Sequence, residues 1–256
     1  INQQYRSFAS PRRADHLILA GDIGRLADYD KYRDFLQKQT DTFKIVFLVL
    51  GNHEFYNISV SNGLQRARQL EHEPCLSGRL VALHRGRFDI PSSCVTVLGC
   101  TLWSHVPDDS RDIVRSKIQD VHKIHDWTVD DHTAAHEEDL TWLLGEIESI
   151  QEENNATCKQ AEKRVILVVT HHTPSLTGAS SPQHENNPWK YAFGTDVLER
   201  MPKLAGVRAW VFGHTHYTTE FKRRGIRVVS DQPGYGLPWS ERNREDGFDA
   251  GKVIHV

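Results

Sequence analysis

Four short apolar runs, at residues 17–20, 45–50, 165–170 and 207–212, limit what this chain can fold into. Each is nearly continuous and rich in branched side chains, the pattern of a strand buried on both faces of a sheet rather than one alternating between core and water. Each also closes on a small residue and then presents groups able to bind a metal. Gly21 leads to Asp22, Gly51 to Asn52, His53 and Glu54, Thr170 to His171 and His172, and Gly213 to His214, Thr215 and His216. Ligands of open α/β sheets collect outside the carboxyl ends of the strands, so these four ends are expected to converge there.

Taken singly, the ends are weak signals. Asp22 alone reads as a turn or helix cap, and Asn52 with His53 as a turn with Asn in a left-handed conformation. Together they outweigh those readings, because motifs gain weight from their mutual context.

A chain of 256 residues can bury a full core, and no linker, repeat or low-complexity tract divides it. With a net charge of -3, nucleic acid is not indicated as a partner. The same charge gives no reason to expect a membrane partner, and no apolar run approaches the roughly 20 residues that span a bilayer. Cys75, Cys94, Cys100 and Cys158 show no Cys-x-x-Cys pair and no regular spacing, which reads as a reduced, cytoplasmic protein. The compositional oddity is fifteen histidines. Of these, His122, His125, His132 and His136 lie among acidic and polar neighbours and read as a solvated helix face rather than a second metal site.

In chain order, a loop to residue 15 precedes the first strand, and helices over 25–39 and 61–73 flank the second. Short runs at 79–83 and 94–98, with no helix between them, suggest a second, partly antiparallel sheet. Residues 108–153 are mostly helical, with Leu140, Leu143, Leu144, Ile147 and Ile150 on a core-facing stripe. The polar stretch 174–193 reads as a lid or substrate loop. Arg223, Arg224 and Gly225 turn a hairpin, and 252–256 reads as a last strand. Trp103, His184, Trp189 and Tyr217 are candidate substrate contacts, with packing the better reading for each. His172 either touches the site or fills space beside it.

Gly21-Asp22, Gly51-Asn52-His53-Glu54, the strand-end His171 and Gly213-His214-Thr215-His216, in that order, resemble the motif set of the calcineurin-like metallophosphoesterases. The resemblance implies an α/β fold, a four-layer α-β-β-α sandwich of two mixed sheets, with two divalent metal ions (Mn, Fe or Zn) at the strand carboxyl ends. It implies that Asp22 bridges the metals, that Asn52, His171 and His214 complete the ligands of one, and that His216 serves the other. His53 would face the scissile phosphate without binding metal, so that His53 and Asp22 are the implied catalytic residues. The implied reaction is hydrolysis of a phosphomonoester or phosphodiester by a water activated between the metals, on a small phosphorylated substrate or a phosphoprotein.

One motif of that set is missing. The family's Asp-x-His precedes Gly-Asp at the end of a first strand, whereas Asp15-His16 has the wrong spacing and sits where a strand begins. The expectation is a single domain over residues 1–256, truncated at its N-terminus before the first strand and holding one metal as it stands. The competing expectation is a non-catalytic metal-binding or scaffold protein with a degenerate metal centre.

Overall fold

The computed structural model of the chain describes residues 8, 10–201, 204–234 and 247–256. Most of the expected opening loop lies outside them. β1 (His16–Ala20), β2 (Ile45–Val49) and β3 (Leu80–Ala82) form a parallel sheet in that order. Its crossovers are α1 (Tyr29–Thr42), which buries Tyr32, Phe35 and Leu36, and α2 (Val60–Glu71), which buries Gly63, Ala67 and Leu70. The Ser59 hydroxyl caps α2 by accepting from the Asn62 N–H. These helical faces meet Val46, Leu48 and Leu50 in one apolar core on the outer side of the sheet.

The second sheet holds β4 (Gly86–Asp89), β5 (Val95–Cys100), β6 (Val165–Thr170), β7 (Val207–Val211), β8 (Thr219–Arg223) and β9 (Ile226–Ser230), in the order β4-β5-β6-β7-β9-β8. Its centre is parallel, and β4 and β8 add antiparallel edges. Between β5 and β6 come α3 (Arg111–Lys117), α4 (Asp120–Lys123) and the long α5 (Val129–Ala156). Thr128 and Asp131 start α5 with a reciprocal capping box, and its Leu140, Leu143, Ile147 and Ile150 pack on the outer face of the second sheet with α6 (Val197–Arg200). The inner faces of both sheets meet through Phe47, Val49, Val97, Leu167, Val169, Ala209 and Val211. The layers therefore run helix, sheet, sheet, helix.

Three expectations are corrected. The run at 79–83 belongs to the first sheet, because α2 is a full crossover that returns β3 parallel to β2, with Val46 opposite Leu80. Lys252 to Val256 form no strand, and Ile254 instead packs against the core between the sheets. His122 and His125 are exposed as expected, but His132 and His136 are wholly buried. They point inward because residues 101–104 need partners: His132 Nε2 lies 2.7 Å from Ser104 Oγ, and His136 Nδ1 donates to the Leu102 carbonyl at 2.7 Å. Burial holds both imidazoles neutral, lowering His132 to about 3. The stretch 174–193 is also less irregular than expected, with 3-10 turns at Pro182–His184 and Lys190–Ala192.

Among the described residues β1 is an edge strand, and a cavity of about 690 Å³ runs along it, lined by Ile18, Ala20, Phe47, Leu167, Val211 and Ile254. No described helix is long and apolar enough to cross a membrane.

Candidate metal centre

β1 and β2 run side by side in one sheet, β6 and β7 in the other, and the carboxyl ends of all four face one another. The connections are tight. Gly21 has a φ of +85°, and Asp22, His214 and His216 take left-handed φ values of 57°, 70° and 51°. Such conformations cost free energy in non-glycine residues and gather where the surroundings hold a side chain in one direction. Close approach fixes Gly51 as well: a Cβ there would lie 2.6 Å from His171 Cε1 and 2.7 Å from the Asp22 nitrogen.

His171 organises the centre. Its Nδ1–H donates to the Ala20 carbonyl at 2.8 Å, which leaves a lone pair on Nε2. That nitrogen faces Asp22 Oδ1 at 3.3 Å, Asn52 Oδ1 at 3.1 Å and His214 Nδ1 at 3.0 Å. The Asn52 amide points its oxygen inward because its Nδ2 donates to Asp120 Oδ1 at 2.7 Å and to Tyr56 Oη at 3.2 Å. Electron pairs on Nε2, Oδ1 and Oδ1 thus meet with no proton to share, an arrangement that repels itself unless a cation lies between them. Among the described residues, ligand atoms of Asp22, His171 and His214 all lie within 4.8 Å of one another.

The electrostatics agree with that chemistry. Asp22 Oδ2 is buried without a hydrogen-bond partner, and burial pushes the carboxyl up to about 7. The imidazoles around it offer no compensating charge, since burial holds His171 below its ordinary range and His214 well below it. A carboxylate, an amide oxygen and two neutral imidazoles are the donor set of a first-row divalent metal, whose charge would offset the cost of burying Asp22. The residues present therefore fit such an ion.

The remaining predicted residues lie around this group. His53 Nε2 is 3.8 Å from Asp22 Oδ2, and its ring stacks on Tyr56 with centroids 4.4 Å apart. His216 follows on the β7 loop, its backbone N–H donating to Gln232 Oε1 at 2.9 Å, and burial lowers its imidazole to about 4. His172 is buried, with both ring nitrogens lacking hydrogen-bond partners, and its ring packs 4.2 Å from that of His214. Trp103 is buried 5.4 Å from the His172 ring, and Phe193 lies 5.0 Å from that of His214, so the loop before α6 closes over the imidazoles. Trp189 is half-buried beneath the Lys117 ammonium, and His184 is exposed.

Two carboxylates take supporting roles that the sequence does not signal. One is Asp120, which carries the Asn52 amide. The other is Glu54, whose side chain accepts from the backbone N–H groups of Asp22 (2.8 Å), Ile23 (2.8 Å), Gly24 (3.2 Å) and Gly51 (2.7 Å) and from the Tyr32 hydroxyl (3.1 Å). It thereby staples the β1 and β2 loops together. Glu54→Ala is expected to orphan these buried donors and lower stability by about 3–5 kcal/mol. Urea unfolding checks this, and a loss below about 1 kcal/mol would mean that the loops hold without the staple.

An uncharacterized protein of Acanthamoeba polyphaga mimivirus is 24% identical over 263 residues, spanning 95% of this chain and 85% of the relative. The crystal structure of a phosphopantetheinyl hydrolase from Mycobacterium tuberculosis shares the fold, with a TM-score of 0.65 at 16% identity over 94% of this chain and 87% of that one. The sequence model of the calcineurin-like phosphoesterases matches residues 1–218, which contain all four strand ends of the centre, and the chain belongs to that family.

Proposed function

We propose that the chain hydrolyses a phosphomonoester or phosphodiester, with Asp22, Asn52, His171 and His214 as ligands of one divalent metal, His216 as a ligand of a second, and His53 acting on the phosphate. The observation that supports this best is the meeting of Asp22 Oδ1, Asn52 Oδ1 and His171 Nε2 within 3.3 Å of that nitrogen. A divalent metal held by these residues would supply positive charge for phosphoryl oxygens and would lower the pKa of water.

The chain's own residues do the rest. Asp22 holds its carboxylate in a buried pocket, where a hydrogen bond from the His53 N–H at 3.0 Å fixes Oδ1. His53 is kept neutral chiefly by burial, which lowers its imidazole to about 3. A neutral imidazole carries one ring proton, enough to donate a hydrogen bond to a phosphoryl or leaving-group oxygen. Its position beside Asp22, with Nε2 3.8 Å from Oδ2, favours an enzyme over a binding scaffold, which would have no use for a second imidazole there. A reducing cytoplasmic setting is part of the same proposal, and the exposed Cys94 and Cys158 thiols are compatible with it.

The test is turnover of mono- and bis-aryl phosphates before and after chelation. Activity should vanish when metal is removed and return with Mn²⁺, Fe²⁺ or Zn²⁺. Full activity in demonstrably metal-free protein would refute the reading.

A further inference from the structure

The Asn52 amide has two ends, and only one of them suits a cation. Rotated by half a turn, the side chain would present its NH₂ group to the imidazole and carboxylate of the centre. Asp120, 68 residues further along the chain at the start of α4, stands where it prevents this. Its Oδ1 receives both the Asn52 Nδ2–H at 2.7 Å and the Tyr56 hydroxyl at 2.8 Å, so that oxygen acts as an acceptor. An amide oxygen turned toward it at that distance would be repelled. Tyr56 accepts from Asn52 while donating to Asp120, and its ring carries His53 in a stack. One buried carboxylate therefore faces both the amide and the platform of the phosphate-facing histidine.

We propose that Asp120 is a positioning residue, which holds the Asn52 oxygen toward the metal and, through Tyr56, sets the plane of His53. The proposal rests on the metal-centre reading above. Asp120 does not hold α4 in place by itself, since the backbone also docks that helix: the Asn57 N–H donates to the Lys123 carbonyl at 2.7 Å and the His125 N–H to the Ile58 carbonyl at 3.1 Å. The side chain can therefore be changed without undocking the helix. Asp120→Asn is close to isosteric, yet its new amide can pair with Asn52 in either orientation, so the variant removes the constraint and opens no cavity.

The test titrates the wild-type chain and Asp120→Asn with Mn²⁺ alone, and records the thermal midpoint of each metal-free protein. Supporting groups around metal ligands typically contribute 10–100-fold in affinity, and Asp120→Asn is expected to weaken Mn²⁺ binding by about that factor. The metal-free midpoint should stay at the wild-type value, and Tyr56→Phe, which retains the Asn52 to Asp120 contact, should weaken binding less. Unchanged Mn²⁺ affinity in Asp120→Asn would overturn the proposal. So would a metal-free midpoint that falls in step with affinity, which marks a structural tie, or a complete loss of metal equal to that of Asp22→Ala, which marks a ligand. A wild-type chain that binds no Mn²⁺ would instead sink the metal-centre reading on which the proposal stands.

Discussion

Asp22→Ala is expected to reduce both bound metal and phosphoester turnover to background. The carboxylate is the charged member of a donor set otherwise made of a neutral amide and neutral imidazoles, and its second oxygen has no hydrogen-bond partner among the described residues. Without it, Asn52, His171 and His214 must hold a dication with no negative charge among them, against water and buffer. The same substitution should leave the metal-free protein at least as stable as wild type, because burying an uncompensated carboxylate is costly in itself. Metal analysis of the purified variant, paired with its thermal midpoint, checks both signs. Retained metal would show that Asp22 is no ligand, and collapse of the fold would show that its role is structural.

His53→Ala should separate binding from chemistry. The ring sits beside Asp22 rather than among the converging lone pairs, so metal content is expected to match wild type. Turnover should fall by about 10²–10⁴, the usual contribution of a positioned proton donor or acceptor. Steady-state kinetics on aryl phosphates read the loss, and metal analysis on the same sample shows whether the two effects are distinct. If His53→Ala lost metal as readily as Asp22→Ala, the division of roles between these residues would be wrong.

Both variants concern residues at strand ends, and that part of the molecule was legible in the sequence. A buried parallel strand writes itself as an uninterrupted apolar run, and the turn after it writes itself as a glycine and a polar group, so the pattern is local. The two-sheet, four-layer architecture followed from the resemblance, and the structure has it. What stayed hidden depends on distant partners. Asp120 lies in a polar helical segment that gives no hint of facing Asn52. Glu54 stood within a motif, but the groups that it binds are backbone N–H donors, which carry no sequence signature. On α5, the acidic neighbours Asp130, Asp131, Glu137 and Glu138 disguised a buried face made of His132, His136, Asp139 and Leu143. Asp139 and His136 are inside because they satisfy the backbone at Leu102, whose N–H donates to Asp139 at 2.8 Å and whose carbonyl accepts from His136 at 2.7 Å, while His132 meets the Ser104 hydroxyl at 2.7 Å. Hydrophobic periodicity cannot find a buried face built of polar groups. The placement of 79–83 and 252–256 failed for a related reason: β-propensity says that a segment suits a strand, not which edge is open to receive it.

The central claim is that the four strand ends form a metal site, and anomalous diffraction from crystals grown with Mn²⁺ tests it most directly. The account predicts a strong anomalous peak within coordinating distance of Asp22 Oδ1, Asn52 Oδ1, His171 Nε2 and His214 Nδ1. A crystal with no peak there, or with its only strong peak against other residues, would contradict it.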